Sequence, residues 1–539
     1  MRTSRTKHHR RRLRWPESCP IAAGFLLCAL LFCPISLGQI SYQGLPSITV
    51  PLPGYQALFP GAIAVGTDVN GDGFTDVVTG KDTLCTVPGC GIWLPEQPGG
   101  VQLLLGQAGG LLPPSTVAPS VFSNRSVTTS DLDLDGDQDL VILGFQAGLG
   151  GVGATIQVLH NDGLGNFVLA ATLPTPVWAA NLAVGDVNGD LTPDVVILGG
   201  IGSSYFAQTL INSGGSSFTP QPVRNVLTPL GPARVADING DGCDDVMFAC
   251  VGGLGLLAGS ASGHFLPETF IPLFAQGSSP ADFRVLDYDN DGNPDLVTIH
   301  SLLSASQLLL HRGDGIGGFA LVATLSASAW YSVHALATGD IDLDGDEDVV
   351  VAWSDSLGQN RVSIVELVHQ VPVLRDMGIP VDAGPDPLIL RNGPRQANIA
   401  TFNHFSDTWS RLVSTSPQIF AQQPAQVGMA LTLQIEATLD VGLSYFGALA
   451  FAKSPGISLV DGRLIDLTID PLFLAIANGT LVIPGLSGTL VGGVSSAIVP
   501  VPPAPILSGT SFFAAFVTLD PAASLGIRSI SATREIRIQ

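Results

Sequence analysis

Asp131-Leu-Asp133-Leu-Asp135-Gly136-Asp137-Gln-Asp139-Leu-Val141 sets five carboxylates on alternate positions of one short segment and follows them at once with an apolar run. Packing so many like charges into nine residues is costly unless a cation offsets the repulsion. The glycine at the sixth position permits a tight curl, because it tolerates positive φ. The β-branched and leucine residues that follow read as a strand. The segment is therefore read as a cation-binding turn opening onto a β-strand.

It is one of six. The same pattern appears as Asp68-Val-Asn70-Gly-Asp72-Gly73-Phe74-Thr-Asp76 and as Asp186-Val-Asn188-Gly-Asp190-Leu191-Thr192-Pro-Asp194. It returns as Asp237-Ile-Asn239-Gly-Asp241-Gly242-Cys243-Asp-Asp245 and Asp287-Tyr-Asp289-Asn-Asp291-Gly292-Asn293-Pro-Asp295. The last copy is Asp340-Ile-Asp342-Leu-Asp344-Gly345-Asp346-Glu-Asp348. First residues are 63, 55, 51, 50 and 53 apart, room for four short strands and their turns, the content of one propeller blade. A second signature tracks the first: an apolar strand, a Gly-rich turn and a Phe, as in Val158 to Phe167, Leu210 to Phe218, Leu256 to Phe265 and Leu309 to Phe319. The fold class expected is all-β: a propeller of six four-stranded blades, with seven as the alternative if 350–400 holds a degenerate one. Residues before Asp68, among them 47–50 and 62–65, are candidates for the strand that closes the ring.

Calcium takes six to eight oxygens at about 2.3–2.6 Å. Side chains at positions one, three, five and nine, with the carbonyl of position seven (Phe74, Asp137, Thr192, Cys243, Asn293, Asp346), supply that set. Magnesium demands a smaller octahedral cage and keeps its waters. An EF-hand needs a glutamate at position twelve and flanking helices; here Thr79, Ile142 and Ile197 stand there. The six loops hold 25 of the 44 acidic residues found after residue 38, too concentrated for an ordinary solvated surface. Up to six calcium ions are expected, the third site being doubtful because Leu191 replaces glycine.

The aspartate loop followed by Val-Val and the later Gly-turn-Phe resemble FG-GAP/VCBS repeats, the propellers of integrin α-chain type and of many exported bacterial proteins. The resemblance covers roughly 45–370. It implies calcium in the loops, where the ion pins the loop and stabilises its blade.

The N-terminus carries seven basic residues within 1–15 and then the apolar run 21–38, ending Ser36-Leu37-Gly38. That order predicts a signal peptide over 1–38 and a secreted or cell-surface protein, with an uncleaved anchor as the alternative. Without it the net charge is about −28, which disfavours nucleic acid. Cys85 and Cys90 flank a turn sequence and are candidates for a disulfide, whereas Cys243 and Cys250 on one strand lie too far apart to bridge. The propeller is expected over 39–375, a connector over 376–422 and a small β-sandwich over 423–539.

Neither a His-Glu-x-x-His nor a Gly-x-Ser-x-Gly motif is present. His160, His264 and His311 fall at blade turns, and His300 and His334 read as strand residues. Trp93, Trp178, Trp330, Trp353 and Trp409 are read as blade core before sugar platforms, Trp93 being the best candidate for an exposed element. With no catalytic constellation, the leading expectation is an extracellular adhesion or ligand-binding protein whose partner is a protein or glycan. A calcium-stabilised polysaccharide lyase and a structural envelope component are the alternatives, the former weakened by the lack of a basic cluster for an acidic sugar.

Overall fold

The computed structural model describes residues 42–49, 65–80 and 100–539, apart from short interruptions that include 147–153, 176–178, 274–279, 301–305 and 342–346. The chain divides into two compact units, one spanning Ile40–Ser416 and the other containing Pro417–Gln539. The regions 1–38, Cys85, Cys90, Trp93, Trp178, His369, His404 and the loop residues Asp342, Asp344 and Asp346 lie outside the described residues.

Among the described residues, the larger unit holds seven antiparallel sheets of four or five strands. Blade 1 is Val65–Thr67, Asp76–Gly80, Gly100–Leu104 and Ser115–Pro119. Blade 2 is Phe122–Ser130, Asp139–Gln146, Ala154–Asn161 and Phe167–Pro174. Blade 3 follows as Ala179–Gly185, Asp194–Ile201, Ser204–Asn212 and Phe218–Pro220, with Arg224–Val226 extending its edge. Blade 4 is Ala233–Ala236, Asp245–Cys250, Gly253–Leu257 and Thr269–Pro272. Blade 5 is Asp282–Leu286, Asp295–His300, Ser306–Gly313 and Phe319–Ala327, and blade 6 is Ser332–Gly339, Asp348–Ser354, Asn360–Val368 and Val371–Pro380.

Of the two counts expected, six blades or seven, the described sheets give seven, and strands occupy much of the connector expected over 376–422. Asp386–Asn392, Arg395–Asn403 and Thr408–Ser414 form three strands of a seventh sheet, and Tyr42–Thr49 from the start of the chain is its fourth. This blade has no aspartate loop: two residues separate its first strands where eight do so in the others. The repeat pattern could not mark it.

Ring closure is visible in the packing. First strands of successive sheets touch one another, and the first strand of blade 7 touches that of blade 1. Between each pair of neighbours lies a separate apolar core. Val78, Leu103 and Leu140 join blades 1 and 2, and Val349, Leu310 and Trp330 join blades 5 and 6. Ile364, Ile399 and Leu412 join blades 6 and 7, while Val77, Leu104 and Trp409 join blades 7 and 1. Second strands such as Asp245–Cys250 and Asp295–His300 are buried along their whole length. A strand flanked by two others and sandwiched between two blades has both faces covered, so it reads as a continuous apolar run rather than an alternating one.

The three described tryptophans of this unit are core residues, Trp330 fully buried, Trp353 and Trp409 nearly so. Trp330 and Trp353 both donate their indole N–H to the buried Ser363 Oγ, at 3.3 and 2.9 Å. That satisfies the one polar atom each ring would otherwise bury unpaired.

The smaller unit is a β-sandwich with additions. Gln418–Ala421, Ala430–Glu436 and Val494–Pro500 make one sheet; Ser444–Ala450 and Ser511–Leu519 centre the other. Leu431, Leu433 and Ile435 of the first pack on Tyr445, Leu449, Phe512 and Phe516 of the second. A helix that the sequence reading did not anticipate, Pro471–Ala477, begins at Asp470, whose carboxylate accepts the Phe473 N–H as an N-cap. Its Phe473 covers the far face of the larger sheet with Ile457, Ile465 and Val517. No helix among the described residues is long and apolar enough to cross a membrane.

Candidate metal centres

In blades 1 to 6 the aspartate segment connects the first and second strands, and loops 1 to 5 share one hydrogen-bond scheme. The N–H of position six reaches the far carboxylate oxygen of position one: Gly73 to Asp68 at 2.8 Å, Gly136 to Asp131 at 3.1 Å and Leu191 to Asp186 at 2.7 Å. Gly242 to Asp237 and Gly292 to Asp287, both 2.9 Å, repeat it. The N–H of position seven binds position five throughout, from Phe74 on Asp72 at 2.9 Å to Thr192 on Asp190 at 2.8 Å and Asn293 on Asp291 at 2.9 Å. Asp137 on Asp135 and Cys243 on Asp241 complete the set. Inward N–H groups thus orient the carboxylates around a common centre.

Leu191 takes φ 69°, the left-handed conformation that Gly73 and Gly242 take at 84°. A leucine there is strained by about 1–2 kcal/mol, yet the loop keeps its shape. The third loop, expected to be the weak one, therefore has the same backbone frame as its neighbours. Position four also needs positive φ, supplied by Gly71, Gly189 and Gly240 but also by Leu134 and Asn290, a requirement the sequence reading missed.

The ninth residue behaves differently from the rest. Asp76, Asp139, Asp194, Asp245, Asp295 and Asp348 are buried, at most 1% exposed. In all but Asp194 one oxygen accepts the N–H of position two, as Leu132 on Asp139 at 3.0 Å and Ile341 on Asp348 at 3.1 Å. The other accepts an N–H where the third strand ends: Gly106, Asn161, Asn212, Gly259, Gly313 and Leu367, at 2.6 to 3.3 Å. Each ninth aspartate is a staple between loop and strand. Burial pushes the Asp194 carboxyl up to about 7 and those of Asp245 and Asp295 to about 6, against the lowering effect of these bonds.

The loops also tie blade to blade. The position-two carbonyl of loop 1, Val69, accepts Asn161 Nδ2 of blade 2 at 2.7 Å; that of loop 2, Leu132, accepts Asn212 Nδ2 of blade 3 at 2.7 Å. Val187 of loop 3 accepts the Ser260 N–H, and Ile341 of loop 6 accepts the Ala397 N–H of blade 7. Holding a loop in shape therefore holds two blades together.

Three carboxylates converge at Asp131, Asp133 and Asp135 and again at Asp287, Asp289 and Asp291, each group with oxygens within 4.8 Å of one another. Oxygens at calcium–ligand distance from one ion would be spaced like that. Asp131 Oδ1, Asp194 Oδ2 and Asp289 Oδ1 are buried without a hydrogen-bond partner, which a cation would satisfy. The residues of loops 2 and 3 fit calcium on these grounds, whereas in loop 5 the Arg312 guanidinium already stands against Asp289 and Asp291.

Two side chains join the loops unforeseen. His160 Nδ1 lies 3.1 Å from Asp133 Oδ2 and forms a group with Asp133 and Asp139. Arg312 Nε and Nη2 lie 2.9 and 2.6 Å from Asp289 Oδ2 and Asp291 Oδ2. Their sequence signal is the third position, aspartate in loops 2 and 5 but asparagine in loops 1, 3 and 4.

Of the other described histidines, His334 stands beside a hydroxyl, that of Ser354, which donates to Asn360 Oδ1 at 3.0 Å. His334 Nε2 bonds Ser354 Oγ at 2.6 Å. His300 and His311 are buried in blade 5, and burial pulls both imidazoles down from 6.5 to about 4. Their folded values lie below the unfolded one, so their stabilising effect is complete above about pH 6.5 and is lost as pH falls towards 4. We expect the thermal midpoint of the wild type to fall more steeply over that window than that of His311→Leu. Parallel curves would show that His311 is not buried neutral.

Cys243 and Cys250 are free, buried thiols, in keeping with their separation along the chain. The family pattern described as FG-GAP-like repeat matches residues 131–197, 237–298 and 287–351, and that described as FG-GAP repeat matches 59–83. No curated protein matches the chain. Among solved structures it is similar to a lectin of Agrocybe aegerita, titled for its recognition of non-reducing terminal N-acetylglucosamine, with 17% identity, a TM-score of 0.41 and coverage of 65% of this chain and 92% of that one. It is also similar to a Lactobacillus plantarum protein, at 12% identity, TM-score 0.32 and coverage of 66% and 96%. An exo-β-1,3-galactanase of Phanerochaete chrysosporium follows at 9% identity, TM-score 0.31 and coverage of 92% and 99%. With the matched repeats folded as blades and the aspartate loop in the same place in each, the larger unit carries FG-GAP and FG-GAP-like repeats.

Proposed function

We propose that this protein is an exported, calcium-stabilised propeller that binds an extracellular protein or glycan and is not an enzyme. The observation that carries the calcium part is the shared loop geometry: carboxylates oriented on one centre, with buried oxygens that no protein donor satisfies. Each ion would fix a loop that is bonded to the next blade, so calcium would hold the ring against opening and preserve the arrangement of its surface turns. Binding to the folded state alone adds stability that grows with free calcium. Extracellular modules function with affinities as weak as about 10⁻⁴–10⁻³ M.

Export rests on the basic and apolar order within 1–38. The binding role rests on the loop-built surfaces a propeller offers. A glycan panel probed with the chain lacking 1–38, in calcium and then in chelator, tests it. Calcium-dependent binding to a defined sugar is the expected result; cleavage of that sugar would overturn the non-enzymatic reading. Silence from folded protein would move the reading to a protein ligand.

A further inference from the structure

The residue just before the amide that binds the ninth carboxylate occupies one register position in each of blades 1 to 6: Leu105, His160, Ile211, Ala258, Arg312 and Glu366. In blade 5 its side chain reaches the loop's own carboxylates. Arg312 bridges Asp289, whose side chain is 3% exposed, and Asp291. In loops 1 and 3 the oxygen equivalent to Asp291 Oδ2 is held instead by the third-position amide: Asn70 Nδ2 on Asp72 Oδ2 at 3.1 Å and Asn188 Nδ2 on Asp190 Oδ2 at 2.9 Å. Asp289 has no N–H to offer, and Arg312 supplies both the missing donor and a positive charge.

The charges agree. Loops 1 and 3 carry three carboxylates and loop 5 carries four, so a guanidinium returns loop 5 to the charge of those two. Arginine stays protonated at any pH the fold survives, and its planar fork suits two acceptors at once.

We propose that loop 5 carries its own cation: Arg312 sits where calcium would otherwise be drawn, and this loop takes no calcium while that side chain is present. The proposal deepens the calcium reading above and rests on it. The sequence rule it yields is that aspartate at position three with arginine at the register position marks a loop that is already neutralised, whereas asparagine with Leu105, Ile211 or Ala258 marks one open to an ion.

The test counts calcium bound per folded chain by native mass spectrometry of the wild type, Arg312→Ala and the pair Ala258→Arg with Asn239→Asp, which copies the blade 5 arrangement onto blade 4. Arg312→Ala should bind one ion more than the wild type, and the blade 4 pair one fewer. An equal count in wild type and folded Arg312→Ala overturns the proposal. If Arg312→Ala fails to fold, an unchanged count in the blade 4 pair overturns it. Wild-type protein with no bound calcium would instead remove the calcium reading of the loops, and the difference between Arg312→Ala and wild type would still decide this one.

Discussion

Asp139→Ala should lower the stability of the propeller by roughly 3 kcal/mol, and the loss should persist in chelator. The carboxylate is fully buried and accepts Leu132 N–H at 3.0 Å and Asn161 N–H at 2.9 Å. Removing it strands two backbone donors, each costing about 1–3 kcal/mol, partly offset because an ionised group no longer has to be buried. Burial already raises this carboxyl above its ordinary range, so the offset is real. Asp135→Ala should behave otherwise. Asp135 is exposed and its carboxylate accepts a bond from Asp137 N–H, so its loss in chelator should be small, about 0.5 kcal/mol. In calcium its loss should grow, as an ion ligand is removed. Thermal melting of both variants in calcium and in chelator separates staple from ligand. Equal behaviour of the two would mean that the ninth residue has no role of its own.

Deleting Tyr42–Thr49 should lower the melting temperature by about 10 °C and promote association. This strand is the fourth of blade 7, paired antiparallel from Tyr42 opposite Ser414 to Thr49 opposite Thr408, with a bulge between Leu45 and Ile48. Its backbone bonds, at about 0.5–1.5 kcal/mol each, sum to roughly 5 kcal/mol. For a domain of this size that is about 10 °C. The deletion also bares the edge of Thr408–Ser414, and an unpaired edge invites pairing with another chain. Melting and size-exclusion chromatography check both parts. A peptide spanning 42–49 should restore the midpoint. An unchanged midpoint and a monomeric profile would show that the ring does not need the N-terminal strand.

Much of this fold was legible because each aspartate loop announces a blade at a countable interval. The interval counts blades with loops and is blind to one without. Blade 7 has only ordinary strand residues, such as Leu388, Ile389 and Leu390, and its outer strand lies more than 330 residues earlier in the chain. The positions of the loop carboxylates were likewise readable, since alternate spacing on a tight turn leaves few other arrangements. The division of labour within the loop was not. Whether Asp139 faces an ion or a backbone donor depends on Asn161, twenty-two residues away on another strand. Leu191 shows that the loop's shape does not require glycine at position six, since the surrounding bonds hold a leucine at positive φ. Arg312 and His160 were unreadable as loop partners because strand register, not sequence distance, brings them to Asp289 and Asp133.

The central claim is that cations in the aspartate loops hold the blades together. Its most direct test is the thermal melting of the chain lacking 1–38, recorded with excess calcium and with chelator, alongside a count of calcium retained after desalting. We predict several ions per chain and a midpoint that falls substantially in chelator and recovers when calcium, but not magnesium, is returned. No retained calcium and superimposable melting curves would contradict it.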